Sequence, residues 1–146
     1  MKLQTIRLSN FQSFGAAPTE VSLEEITYFI GPNGSGKTAA LQALCRLFAF
    51  DPSLRRILRS DFHVPFIEDT PPAERQLWIE ADFLFPELGD DEDNSTVAPH
   101  FGHMRLDEVD GIPRVRFRLT ATMGQDGDIE ECFEYVTDLT ADGTPL

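Results

Sequence analysis

Gly31-Pro32-Asn33-Gly34-Ser35-Gly36-Lys37-Thr38 follows the pattern G-x-x-x-x-G-K-[ST], and each residue type in it has a chemical reason to be there. Gly31, Gly34 and Gly36 let the backbone curl tightly, so that successive N–H groups from Asn33 through Ser35 to Gly36 converge on phosphate oxygens with no Cβ in the way. A helix following the loop adds the positive end of its dipole. Lys37 is placed to reach the β- and γ-phosphates, and the Thr38 hydroxyl to ligate the Mg²⁺ that bridges them. The chain has only two lysines, Lys2 and Lys37, and otherwise uses arginine for positive charge. These residues predict binding of ATP with Mg²⁺.

Such a loop joins a strand to a helix in the phosphate-binding folds that use it. The β-branched and aromatic run at residues 26–30 predicts the strand, of the kind buried on both faces. Leu41, Leu44, Cys45 and Phe48 fall at i, i+3, i+4 and i+7 and predict a helix from Lys37 packed through that stripe. It ends before Asp51-Pro52, because the residue before proline disfavours helical geometry. Upstream, residues 2–8 read as a strand and residues 10–15 as the turn leaving it. Residues 51–76 are a proline-broken connection with room for a short helix at 53–60.

The rest reads as β-structure. Leu77, Ile79, Ala81, Phe83 and Phe85 alternate with Trp78, Glu80, Asp82 and Leu84, as in a strand with two unlike faces. Residues 87–95 form an acidic loop. Val115, Phe117, Leu119, Ala121 and Met123 alternate with Arg114, Arg116, Arg118, Thr120 and Thr122, and residues 124–128 supply a hairpin turn. A turn centred near Asp126 sets Arg118 opposite Glu134 and Arg114 opposite Asp138, which makes these arginines structural.

Charge and composition narrow the function. With 25 Asp plus Glu against 12 Lys plus Arg in 146 residues, the net charge is −13, so this segment alone binds DNA poorly. No apolar run is long enough to span a bilayer, and the first residues lack a signal peptide's apolar stretch, which predicts a cytoplasmic protein with no membrane partner. Cys45 and Cys132 have no ligand-like spacing and read as reduced, buried thiols. His100 and His103 read as surface residues and not as a metal pair. Hydrolysis needs an acidic residue beside the metal and a group that stabilises the transferring phosphoryl. Asp82 lies in a strand, yet lacks the apolar run that normally precedes such an acid, and no catalytic residue is assigned.

Combined with the phosphate loop, the first strand and Ser9-Asn10-Phe11-Gln12-Ser13-Phe14 resemble the start of the RecF/SMC branch of ABC-type ATPases. Within that branch, residues 59–65, the Ala81-Asp82-Phe83 strand and the hairpin of residues 114–136 look most like the OLD (overcoming lysogenization defect) family, which joins an N-terminal ABC-type ATPase to a C-terminal Toprim nuclease. The fold class implied is α/β: a P-loop NTPase with an ABC/SMC-like head, of which this is the N-terminal lobe, carrying an antiparallel β-subdomain. Residues 1–146 would be the first part of one such domain, with the loop at 31–38 and the β-rich part at about 77–138. The glutamine loop, signature, acidic Walker B strand, switch histidine and Toprim region would all follow residue 146, so the resemblance makes this an incomplete ATPase that alone hydrolyses little or no ATP.

The resemblance also implies ATP-dependent DNA processing, repair or anti-phage defence. It implies DNA contact through other regions, and a homodimer or larger assembly. It places the Asn10–Phe14 turn near the adenine and ribose, where Gln12 departs from the basic residue common in the branch. It puts one of Arg55, Arg56 and Arg59 near ATP or DNA without fixing which. Two alternatives stand beside it: a non-catalytic nucleotide-binding or interaction module, and an ABC-type ATPase of another branch without a nuclease.

Overall fold

The computed structural model describes residues 1–88 and 102–146. Their strands are β1 (Lys2–Ser9), β2 (Thr19–Ser22), β3 (Glu74–Leu84), β4 (Arg105–Val109), β5 (Ile112–Gly124) and β6 (Ile129–Val136). They make one six-stranded sheet in the order β2-β1-β3-β5-β4, with β6 also on β5. All pairings are antiparallel. Strands β4 and β6 share one edge of β5, β4 on Ile112–Val115 and β6 on Arg116–Met123.

Among the described residues one α-helix, α1 (Lys37–Phe48), lies on one face of this sheet. Alternation along β1, β3 and β5 sends Ile6, Leu8, Leu77, Ile79, Ala81, Leu119 and Ala121 to that face, where they bury against Ala39, Ala40, Ala43 and Leu47. The side chains α1 buries are mostly alanine, which lets the helix approach the sheet closely. This corrects the stripe expected from the sequence. Leu41 and Phe48 are exposed at 51% and 40%, Leu44 is partly buried, and Cys45 is exposed. Cys132, on the edge strand β6, is exposed too, so neither thiol is the buried one expected.

The second correction concerns residues 26–30, which form no strand. Ile26, Tyr28 and Ile30 are 71%, 80% and 93% exposed, while Phe29 packs on the core. A strand buried on both faces needs neighbours to take its N–H and C=O groups, and none of the described strands runs beside this segment. The short helix expected at 53–60 is two 3₁₀ turns, Pro52–Arg55 and Arg59–Asp61, the first capped by Asp51 accepting from the Ser53 N–H at 2.8 Å.

The long hairpin has the expected register, with Arg118 opposite Glu134. The arginines, however, are neutralised from the other side. Arg118 donates to Glu80 at 2.6 Å and lies over the Trp78 ring at 4.5 Å. Arg116 donates to Asp82 at 2.7 and 3.0 Å. Arg114 pairs with Asp107, since β6 ends at Val136 before Asp138 can face it. On β1, Arg7 joins the cluster through Asp82 at 2.9 Å and Glu20 at 2.8 Å. Burial opposes the charge on Arg116, but Asp82, Glu80 and Asp107 outweigh it and raise its pKa. Most of the acidic loop at 87–95 lies outside the described residues, as does His100.

Candidate nucleotide site

The loop at residues 31–36 runs directly into α1. Gly36 is the N-cap residue at φ 95°, with no side chain capping the first turn, so the N–H groups there stay open to an anion. Gly34 also has positive φ, 83°. A side chain at Gly36 would be crowded: its Cβ would lie 3.0 Å from Phe14 Cζ and 3.3 Å from Ser13 Oγ, so that the turn would have to give way. Lys37 Nζ folds back onto its own loop and donates to the Gly31 and Pro32 carbonyls, the latter at 2.8 Å. Phosphate oxygens are stronger partners for an ammonium than these two neutral carbonyls.

An open cleft of about 450 Å³ lies against the loop, lined by Gln12, Ser13, Asn33, Gly34, Gly36, Lys37, Thr38 and Ala39. It brings together most of the residues expected from the motif. Gly31 and Ser35 instead line an adjoining hollow with Phe14, Val21 and Phe29. Thr38 is exposed, and its hydroxyl has no partner among the described residues. Those residues contain no cluster of His, Cys, Asp or Glu able to hold a metal unaided. A lone hydroxyl beside a phosphate site suits Mg²⁺, which takes few protein ligands and completes its shell with phosphate oxygens and water.

The wall opposite the loop is the turn after β1. Asn10 and Gln12 both adopt positive φ, 54° and 50°, a conformation uncommon outside glycine. Several bonds hold it. The Asn10 N–H donates to the Gly15 carbonyl at 2.8 Å, the Gln12 N–H to the Asp61 carbonyl at 2.7 Å, and the His63 N–H to the Asn10 carbonyl at 2.9 Å. His63 Nδ1 donates to the Gln12 carbonyl at 2.7 Å.

Beneath the turn lies a pair that sequence reasoning missed. Asp61 is fully buried and accepts from Arg46 Nε at 2.7 Å, Arg46 Nη2 at 3.2 Å, the Leu58 N–H at 2.9 Å and Gln12 Nε2 at 2.9 Å. Arg46 also donates to the Leu54 carbonyl at 2.8 Å. A signal existed: Ala39, Ala43, Arg46 and Leu47 fall at i, i+4, i+7 and i+8, so an arginine on that stripe requires a buried partner.

Other candidates stand apart. Arg55, Arg56 and Arg59 are exposed and none lines the cleft; Arg59 donates to the Gly127 carbonyl at 3.2 Å. Asp82 is held by arginines on the sheet face away from α1. The His103 ring packs edge-on against Tyr135, with centroids 5.7 Å apart.

Comparison with known proteins agrees with this geometry. A family model described as an AAA ATPase domain matches residues 1–111. The chromosome partition protein Smc of Synechococcus sp. is 44% identical over 73 residues, which is 50% of this chain and 6% of that protein's length. Among solved structures, one from a study of ATP-driven dimerization and DNA-stimulated activation of SMC ATPases superposes with a TM-score of 0.53 at 17% identity, covering 92% of this chain and 70% of that one. The fold is that of the N-terminal lobe of an SMC-like ATPase head, with a P-loop and an antiparallel sheet, and the chain belongs to the AAA ATPase domain family.

Proposed function

We propose that the cleft binds Mg-ATP, with the backbone of Gly31, Asn33, Gly34, Ser35 and Gly36 and the side chain of Lys37 on the phosphates and Thr38 on the metal. The observation that carries this reading is the uncapped N-terminus of α1 opening, through Gly36, onto a cleft that already contains Lys37 and Thr38. Mg²⁺ would offset phosphate charge there, and the chain's own part is to bind and orient. In the whole protein, hydrolysis would follow when a second head supplies the groups this chain does not provide.

The finer reading is an OLD-like, ATP-dependent endonuclease acting in DNA processing, repair or anti-phage defence. Residues 59–65, the β3 segment and the β5–β6 hairpin support it by resemblance. In that reading DNA is contacted outside this chain, consistent with a net charge of −13, and the protein works as a homodimer or larger assembly. The test is the complete gene product assayed for ATPase and for Mg²⁺-dependent DNA cleavage, wild type against Lys37→Ala. ATP-dependent cleavage lost in the variant supports the endonuclease. ATPase lost with no cleavage by either protein favours an SMC-like ATPase without a nuclease.

A further inference from the structure

Strand β6 leaves its outer edge open: among the described residues it pairs with β5 and with nothing on its other side. The Gly124 N–H donates to the Asp128 carbonyl at 3.1 Å, closing the hairpin with a hydrogen-bonded pair. Such pairs alternate along an antiparallel ladder. Glu130, Cys132 and Glu134 therefore exchange backbone bonds with β5, while the N–H and C=O groups of Ile129, Glu131, Phe133 and Tyr135 point away from it. Glu130 to Tyr135 are all exposed. The register with β5 has no bulge and β6 contains no proline or lysine, so devices that commonly blunt an open edge are missing.

The two faces of β6 differ. On the face shared with α1, an aromatic ladder crosses the sheet from Phe83 to Phe117 to Phe133, with ring centroids 5.9 and 5.7 Å apart. It stops at the edge, where Phe133 and Tyr135 are 53% and 41% exposed. On the other face Glu130 and Glu134 flank Cys132. Arg118, directly opposite Glu134, turns to Glu80 at 2.6 Å, so neither glutamate has an ion pair among the described residues. A second copy of β6 laid antiparallel here and centred on Cys132 would set glutamates across from glutamates, which is unfavourable. A strand whose apolar residues extend the ladder and whose alternate residues are basic satisfies both faces and the open backbone groups. We propose that β6 is a docking edge for an extended segment of a partner protein, in which apolar and basic residues alternate, added antiparallel as a further strand of the sheet.

The test titrates the chain, by fluorescence anisotropy, with a dye-labelled short peptide alternating lysine with valine and phenylalanine. Its controls have glutamate for every lysine, the same residues arranged in blocks, or N-methyl groups on the apolar residues, whose N–H groups would face β6. The alternating peptide binds at least about 5-fold more tightly than each control. When it binds, hydrogen exchange followed by NMR slows at the Ile129, Glu131 and Phe133 amides. Glu130→Lys with Glu134→Lys moves the preference to the glutamate peptide. Equal binding of the alternating and block peptides, or binding that leaves those amides unprotected, is adhesion of a basic peptide to a chain of charge −13 and overturns the proposal. Absence of binding overturns it as well, and this peptide comparison needs no variant to fold. A preference unmoved by the double substitution, or protection of those amides that rises with chain concentration and no peptide, as a second copy on the edge would give, also overturns it.

Discussion

Replacing Asp61 with alanine removes the acceptor at the centre of the Gln12–Arg46 cluster. Asp61 is fully buried and Arg46 is 9% exposed, so Arg46 loses two hydrogen bonds and its counter-charge, keeping only the Leu54 carbonyl. Breaking a buried ion pair by deleting one partner costs about 3–5 kcal/mol. For a chain near 150 residues that lowers Tm by roughly 6–20 °C, a large part of a total stability of about 5–15 kcal/mol. Urea unfolding followed by the single tryptophan, Trp78 in β3, measures the loss. Adding Arg46→Met to Asp61→Ala should recover part of it, because the uncompensated charge is gone. A loss below about 1 kcal/mol for Asp61→Ala would refute the claim that this pair is buried and structural.

Gly36→Ala should weaken Mg-ATP binding and lower Tm more than Gly34→Ala, since both have positive φ but only at Gly36 does a Cβ meet Phe14 and Ser13; equal effects would contradict the packing of the turn on the loop. Asp82→Asn should lower the urea midpoint by disturbing Arg7 and Arg116 while leaving the Mg-ATP Kd within about 2-fold; a large loss of affinity would bring Asp82 into the metal site. The Arg75 hydrogen bond holds the Glu68 carboxyl below its ordinary value of 4.5, against a smaller opposing effect of burial. A carboxylate with a lowered folded pKa stabilises above its unfolded pKa, and the contribution fades as pH falls through the folded value. Wild type should therefore exceed Glu68→Gln in urea midpoint at pH 7, and the gap should narrow as pH falls below the ordinary carboxylate value and on through the lowered folded one; a gap independent of pH would exclude the pair as its cause.

Local signals were legible in the sequence and non-local ones were not. The phosphate loop, the start of α1 at Lys37 and the β5–β6 register depend on neighbouring residues, and all three stand in the structure. The helix face was misread because side-chain size was taken for burial. The tight contact with the sheet selects Ala39, Ala40 and Ala43 and leaves Leu41 and Phe48 outside. Residues 26–30 have strand composition, yet a strand exists only where another pairs with it. The acids that neutralise Arg116 and Arg118 sit on β3, more than thirty residues away in sequence, where no local pattern points. The hairpin of β4 and β5 was within reach: Asp110 and Gly111, both at positive φ, form the Asp-Gly turn that marks such hairpins. At the site, the motif residues were readable from spacing, whereas Asp61 becomes visible only once Arg46 is seen to be buried.

The most direct test of the central claim is the affinity of the chain for Mg-ATP, measured by calorimetry for wild type and for Lys37→Ala. Lys37 is partly exposed and, among the described residues, bonded only to carbonyls of its own loop, so the variant should keep its fold and its Tm. Removing the ammonium from the β- and γ-phosphates should cost at least about 10-fold in Kd, the scale of a lost charge-assisted hydrogen bond. Saturable Mg-ATP binding by the wild type, weakened in a folded Lys37→Ala, is the predicted result. Binding unchanged by the substitution, or none by the wild type, would contradict the assignment of residues 31–38 as a nucleotide site.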